Sequence, residues 1–552
     1  MEIEKEIRAR IQGIRFHYKI LFYVLFGMLW SFSNVGYSFG FLTWIALVPF
    51  LFSIKYENFK QGIFFAWVFG FATYTFHFWW MVNPFIEYFS NNFFPPYLGF
   101  LSYFIGGISM LAVSAFHGLM YPVVYMVAKY IVTKKKGSFF YLIIPVVFTV
   151  VDYFFPKLWY DQVGYSQYIF LNFSQIADVF GVPLLTFFVV GANCFLMIFI
   201  ECILYKNHVK YGITLIGVAA LCILLANGYG ILRLGQINRL ISESPKARIG
   251  VVQGNFSGMD KQDPGKYNDM LSVYNDMSRE LLSHNPDVIV WPESAIPSIY
   301  DSSQMDFSSV KQFGKAALLF GAHSAENDGN ALQVYNSLIL ISKDGKKLDR
   351  YYKHKLLAFV EGMPYEFLDA IMNIYGLSSF GRGKEFKVMS TGNLKITTNI
   401  CYEDIIPDFI RESLNVRGVE SNIIINATND SWFGKSIEPL MHLHIAGFRS
   451  IETRKTLVRS TCTGYSGIFE PTGVLAEKSK LFEKDSFVAD VPLLEIKTIY
   501  RMGGYLFVYF LGLIILVVFI YAVYRKVKFY FKRNRIISEN HQKKAMYQNW
   551  ME

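Results

Sequence analysis

Leu394-Lys395-Ile396-Thr397-Thr398-Asn399-Ile400-Cys401-Tyr402-Glu403-Asp404 carries the pattern on which the architecture of the polar half of this chain turns. Apolar and β-branched residues run through 394–400 and stop at a cysteine followed by acidic residues. That is the pattern of a buried strand delivering a reactive side chain at its carboxyl end. Runs of the same kind recur at 248–253, 287–290, 317–321, 337–342, 422–426 and 457–460, with helical periodicity over 266–284 and 439–454. Strands alternating with helices predict an α/β layered domain, its sheets covered by helices.

Outside 247–495 the chain changes character. Overall it is 53% hydrophobic and 18% aromatic with only 17% charged residues, and the apolar residues crowd into 18–232 and 502–524. A membrane-spanning helix needs about 20 mostly apolar residues. Eight candidates follow, near 18–34, 39–54, 61–83, 97–128, 139–155, 179–205, 211–232 and 502–524. The expected organisation is a multi-span membrane domain over 1–232, a polar domain over 233–501, a final span over 502–524 and a basic tail over 525–552. No small-residue cleavage site follows the first apolar run, so it reads as an uncleaved anchor. Simple alternation of spans puts Lys55 and Lys60, Lys134 to Lys136, Lys206 to Lys210 and the tail on the cytoplasmic side. The polar domain then lies outside. The formal charge of +10 is explained by these short clusters and not by a nucleic-acid patch, so no nucleic-acid partner is expected.

Five cysteines are too few for a disulfide framework; Cys194, Cys202 and Cys222 fall in apolar spans, leaving Cys401 and Cys462 in the polar domain. By residue type a bridge between those two stays open. So does a second use of Cys401. A thiolate beside a cation, with a carboxylate to take its proton, makes a covalent acyl-transfer site. Glu293 follows the strand at 287–290, Lys353 follows the one at 337–342, and Cys401 ends the one at 394–400. Any domain this size has Glu, Lys and Cys, and Lys355 and Lys346-Lys347 rival Lys353.

Local sequence narrows the choice. Trp291-Pro292-Glu293-Ser294-Ala295, Tyr352-Lys353 followed by Glu361, and Asn399-Ile400-Cys401-Tyr402-Glu403-Asp404 resemble, in order and spacing, the catalytic motifs of the nitrilase (carbon-nitrogen hydrolase) superfamily. The segment from Asn426 to Gly434, Arg459-Ser460-Thr461, and in the apolar half Gly164 to Gln167, Ser174-Gln175, Asp178 and Phe180-Gly181-Val182 are similar to its membrane-anchored family, the apolipoprotein N-acyltransferases.

The resemblance implies an αββα sandwich and an N-acyltransferase in the bacterial cytoplasmic (inner) membrane, its catalytic domain on the periplasmic or extracytoplasmic side. The acyl donor would be a phospholipid and the acceptor the amine of a diacylglyceryl lipoprotein. It implies Glu293 as base, Lys353 as oxyanion support, Cys401 as nucleophile, and Glu361, Tyr402 and Glu403 as further active-site residues, with no cofactor and no metal. The rival readings are a membrane-tethered amidase and a non-catalytic lipoprotein-binding homologue. Two departures stand out: Leu356 to Val360 lacks the family's Pro and Gly before Glu361, and Gly258 to Gln262 lacks a tryptophan.

His442 and His444, two apart, do not share a helix face and read as structural or channel residues, not metal ligands. The aromatic runs 76–80 and 93–96 read as an interfacial belt. The apolar periodicity of Phe367, Leu368, Ile371, Met372 and Tyr375 predicts a helix over 362–376, either packed into the core or acting as a lid toward the bilayer.

Overall fold

The computed structural model describes residues 2–92, 96–131, 139–327, 332–358, 360–363 and 379–551. The expected 362–376 helix lies almost wholly outside the described residues.

Among the described residues of the apolar half, four helical stretches are long and apolar enough to cross a bilayer: Phe100–Ile131, Val182–Leu204, Val209–Glu243 and Tyr500–Asn534. Shorter apolar helices occupy Phe16–Phe32, Gly40–Tyr56 and Tyr141–Phe154, and Phe59–His77 packs beside the first of them. Lys55, expected in a cytoplasmic loop, is instead buried in the helix Val48–Tyr56, 2.7 Å from Glu201. An ammonium in an apolar bundle is tolerated only with such a counter-charge. The helix expected at 211–232 continues to Glu243, because its last turns are polar and carry their own Arg239–Glu243 pair at 3.0 Å.

The polar domain holds two facing sheets. The first joins β1 (Lys246–Gln253), β2 (Val288–Val290), β4 (Ala317–Asn327), β5 (Leu332–Ile341), β6 (Lys347–Tyr352) and β13 (Asp485–Pro492) in the order β13-β1-β2-β4-β5-β6, with β3 (Ile299–Asp301) paired to β4. The second runs β12-β11-β10-β9-β8-β7, built from β7 (Val388–Thr391), β8 (Leu394–Ile400), β9 (Ile423–Thr428), β10 (Thr456–Thr461), β11 (Gly467–Phe469) and β12 (Leu475–Lys478). Strand alternation assigns the faces. Ile249, Val251, Val288 and Val290 join Ile396, Ile400, Ile423 and Ile425 in one core between the sheets. Val252 and Ile289 point the other way, into a second core with Leu271, Tyr274 and Leu281 of the helix Tyr267–Leu281. The helix Glu438–Thr453 supplies Met441, Leu443 and Phe448 to the first core. The layers are therefore helix, sheet, sheet, helix.

The two halves are clamped together by a buried carboxylate. Asp178 accepts from Tyr229 at 2.6 Å and Arg233 at 2.7 Å, both on the long helix, and from Arg454 of the polar domain at 2.9 Å. Trp80, expected in an interfacial belt, is buried edge-on between Trp159 and Phe433, 5.1 and 5.3 Å between ring centroids. It is a domain-packing residue.

Candidate active site

Glu293, Lys353, Glu361 and Cys401 line one cavity of about 500 Å³. Glu293, Lys353 and Cys401 arrive from strand ends, and Glu361 from the loop after Lys353. Glu293 sits three residues past β2, on a turn where Ser294 has φ of +47°. Gly321 of β4 lets that turn approach, since a Cβ there would lie 2.4 Å from the Pro292 carbonyl oxygen. Lys353 follows β6 directly, and its N–H donates to the Asn336 carbonyl of β5 at 2.9 Å. Cys401 ends β8 with φ of +55°, a left-handed conformation that costs a non-glycine residue about 1–2 kcal/mol. That kink turns the thiol out of the sheet into the cavity.

Lys353 bridges both carboxylates, its Nζ 3.1 Å from Glu293 Oε1 and 2.7 Å from Glu361 Oε2. Asn336 Nδ2 donates to the same two groups, at 2.7 Å to Glu293 and 2.8 Å to Glu361. The loop lacking the family's Pro and Gly still presents Glu361, because the Leu357 N–H donates to Glu361 Oε2 at 2.8 Å. Burial pushes the Lys353 ammonium toward losing its proton, but Glu293, Glu361 and Cys401 outweigh that and hold its pKa well above the ordinary value. Burial and then the Glu293 charge push the Cys401 thiol well up, with Lys353 opposing them. The resting cysteine is therefore a thiol, and attack needs a base in reach.

Tyr402 and Glu403 hold the lysine's loop. The Tyr402 hydroxyl donates to the Leu356 carbonyl at 2.8 Å. Glu403, fully buried, accepts from the His354 and Lys355 N–H groups at 2.7 and 2.9 Å, and from the Ile400 N–H and Tyr351 hydroxyl at 2.8 Å each. Burial lifts its carboxyl to about 7 against the Lys355 and Ile400 N–H groups, the Lys353 charge and the Tyr351 hydroxyl.

Under the nucleophile lies a buried charge box. Asn426 Nδ2 donates to the Cys401 carbonyl at 2.9 Å, and its oxygen accepts from Arg459 at 3.0 Å. Arg459 is paired with Asp404 and Asp430. His442 bridges the same two aspartates, Nε2 2.9 Å from Asp404 and Nδ1 3.2 Å from Asp430. Asp430, Glu438 and His442 are close enough to share a cation, yet Arg459 and protonated His442 already balance the two aspartates, and burial raises Glu438 to about 8. Residue charges alone close this set, so it reads as a strut beneath Cys401. His444 stacks on Tyr168 at 4.5 Å.

Sequence reasoning did not single out Asn336 or Lys261, both of which line the cavity. Asn336 carried a faint signal, since asparagine is depleted inside strands. The remaining lining mixes Gln262, Ser294, His323 and Asn429 with Leu357, Val360, Phe380, Trp432 and Phe433, and Tyr88 joins it from the membrane half.

Comparison with known proteins covers both halves. Residues 248–501 match the carbon-nitrogen hydrolase family and residues 26–195 the apolipoprotein N-acyltransferase N-terminal domain. The chain is similar to the apolipoprotein N-acyltransferase of Geobacter metallireducens, 27% identical over 499 residues that cover 88% of this chain and 91% of the relative. It is similar also to that of Vibrio parahaemolyticus, 30% identical over 366 residues covering 63% of this chain and 67% of the relative. Among solved structures, an amidase of the nitrilase superfamily from Nesterenkonia AN1 aligns at 16% identity with a TM-score of 0.34, over 47% of this chain and 95% of that one. With both domain types matched in order along one polypeptide, this chain belongs to the apolipoprotein N-acyltransferase family.

Proposed function

We propose that the protein transfers an acyl chain from a phospholipid to the α-amine of a diacylglyceryl-cysteine lipoprotein by way of a thioester on Cys401. The observation that carries this reading is the cavity wall. The thiol, two carboxylates and a lysine share it with apolar side chains of the polar domain and with Tyr88 of the membrane half, a lining that suits an acyl chain.

In the first half-reaction Glu293 takes the Cys401 proton as sulfur attacks the ester carbonyl. Lys353 stabilises the oxyanion, and the carbon–oxygen bond breaks as Glu293 returns the proton to the departing glycerol oxygen. In the second, the lipoprotein amine attacks the thioester and passes a proton to Glu293. The carbon–sulfur bond then breaks, and the proton returns to sulfur. Glu361 holds Lys353 in place.

The decisive experiment is mass spectrometry of a lipoprotein's N-terminal lipopeptide with the protein present or depleted. A third acyl chain found only in its presence is the expected result. Released free fatty acid with no third chain would make the protein a hydrolase instead.

The same reading carries a topology: eight spans, and a catalytic domain on the periplasmic face of the inner membrane. Here the cytoplasmic side receives the basic tail, following the positive-inside rule. An alkaline phosphatase reporter joined after Ser244 should be active and one joined after Arg533 inactive. The reverse pattern would remove access to a translocated lipoprotein and end this reading.

A further inference from the structure

The cavity's charge does not close on itself. Lys353 is offset by Glu293 and Glu361, and burial lowers His323 to about 4, leaving it neutral at physiological pH. Lys261, half-buried on the short helix Gly258–Gln262, is different. Its Nζ donates to Cys462 Sγ at 2.7 Å and to the Glu293 carbonyl at 2.9 Å. Among the described residues no carboxylate lies within ion-pair reach of it. Burial raises the Cys462 thiol above its ordinary value, despite Lys261, and that thiol itself reaches the Glu293 carbonyl at 3.3 Å.

An ammonium has three N–H donors. Two are used here, on neutral acceptors, which leaves one donor and a whole charge facing the cavity. A half-buried cation without a counter-ion is a ready partner for an arriving anion, through a charge-assisted hydrogen bond. Lys261 stands beside the backbone of the catalytic base, so the anion it takes must lie a short way from the reacting carbonyl.

Resting on the reading above, we propose that Lys261 binds the phosphodiester of the acyl-donor phospholipid and so selects the donor. In a glycerophospholipid the phosphate and the scissile ester share one glycerol, a few bonds apart. A phosphate docked on Lys261 therefore leaves an ester within reach of Cys401. The diacylglyceryl acceptor has no phosphate at that position and brings an amine. Lys261 thus acts in thioester formation and not in aminolysis, giving one site two successive lipid preferences.

The test uses the full chain in detergent micelles and follows Cys401 thioester formation by intact mass. The acyl donors are phosphatidylethanolamine and a diacylglycerol with the same chains. Lys261→Met should lower kcat/KM for phosphatidylethanolamine at least about tenfold, mainly through KM, the effect of losing one charge-assisted hydrogen bond. Loading from diacylglycerol should change less than about threefold, and Lys261→Arg should keep most of the phospholipid preference. Equal loss with both donors would mean that Lys261 only props the Glu293 backbone, and no loss with either would mean that it binds nothing; each overturns the proposal. If the unaltered protein formed no thioester from either donor, the acyltransferase reading itself would fall, a result distinct from both.

Discussion

Replacing Cys401 by alanine is expected to abolish acyl transfer, by at least about 10⁴-fold, while the protein stays folded. The size of the effect follows from the route: without sulfur there is no covalent intermediate, and two half-reactions with different lipids cannot share a single direct step. The small stability effect follows from the volume removed. Cys401 is 7% exposed at the cavity wall, and Glu293, Lys353 and Glu361 are held by one another and by Asn336. Loss of the thiol should shift the melting temperature by only a few degrees. Serine keeps the shape but offers a hydroxyl that is a far poorer nucleophile at neutral pH, so Cys401→Ser should be nearly as inactive. Acyl-enzyme trapped from phospholipid and digested to peptides should carry its acyl group on the peptide containing Cys401. Finding it on Cys462, which accepts from Lys261 at 2.7 Å, would reassign the nucleophile.

Much of this was legible in the sequence where burial is symmetric. The run 394–400 predicts β8 residue for residue because Leu394, Ile396 and Ile400 alternate onto the core face and the strand stops where a site begins. Strands at the edges left no such mark. β13 pairs with β1 along its whole length, yet Asp485, Ser486 and Asp490 interrupt its apolar residues, since an edge strand has only one neighbour to satisfy. The site followed the same division. Glu293 and Cys401 stand at the ends of buried strands and are found by reading where each strand stops. Asn336 lies inside β5, and its role appears only when the Glu293 turn and the Glu361 loop converge on it. Lys261 sits in a polar stretch where one lysine looks like any other, and only the cavity singles it out. In the apolar half, Lys55 reads as a loop charge until Glu201, far along the chain, is seen beside it.

Lys353→Met should be both inactive and unstable, with a pH dependence that tells the two effects apart. The lysine is almost fully buried between Glu293 and Glu361. Burial alone would raise the Glu361 carboxyl, but Lys353, the Leu357 N–H and Asn336 outweigh it and hold the pKa below the ordinary 4.5. A carboxyl depressed on folding contributes stability that is present above its unfolded pKa and is lost as pH falls through the folded value. With methionine at 353 the sign reverses. Two buried carboxylates then face each other across Asn336 with no cation, the pKa of at least one rises above 4.5, and a raised carboxyl destabilises the fold increasingly as pH climbs past that unfolded value. The penalty for an unpaired buried charge is about 3–5 kcal/mol. Relative to the unaltered protein, the melting temperature of Lys353→Met should therefore fall further at pH 8 than at pH 5. Adding Glu361→Gln removes one of the two facing charges and should recover much of that loss at pH 8. Activity should not return, because the oxyanion still lacks its cation. A deficit of equal size at both pH values would show that Lys353 acts through packing alone, and the ion-pair account of this site would have to be abandoned.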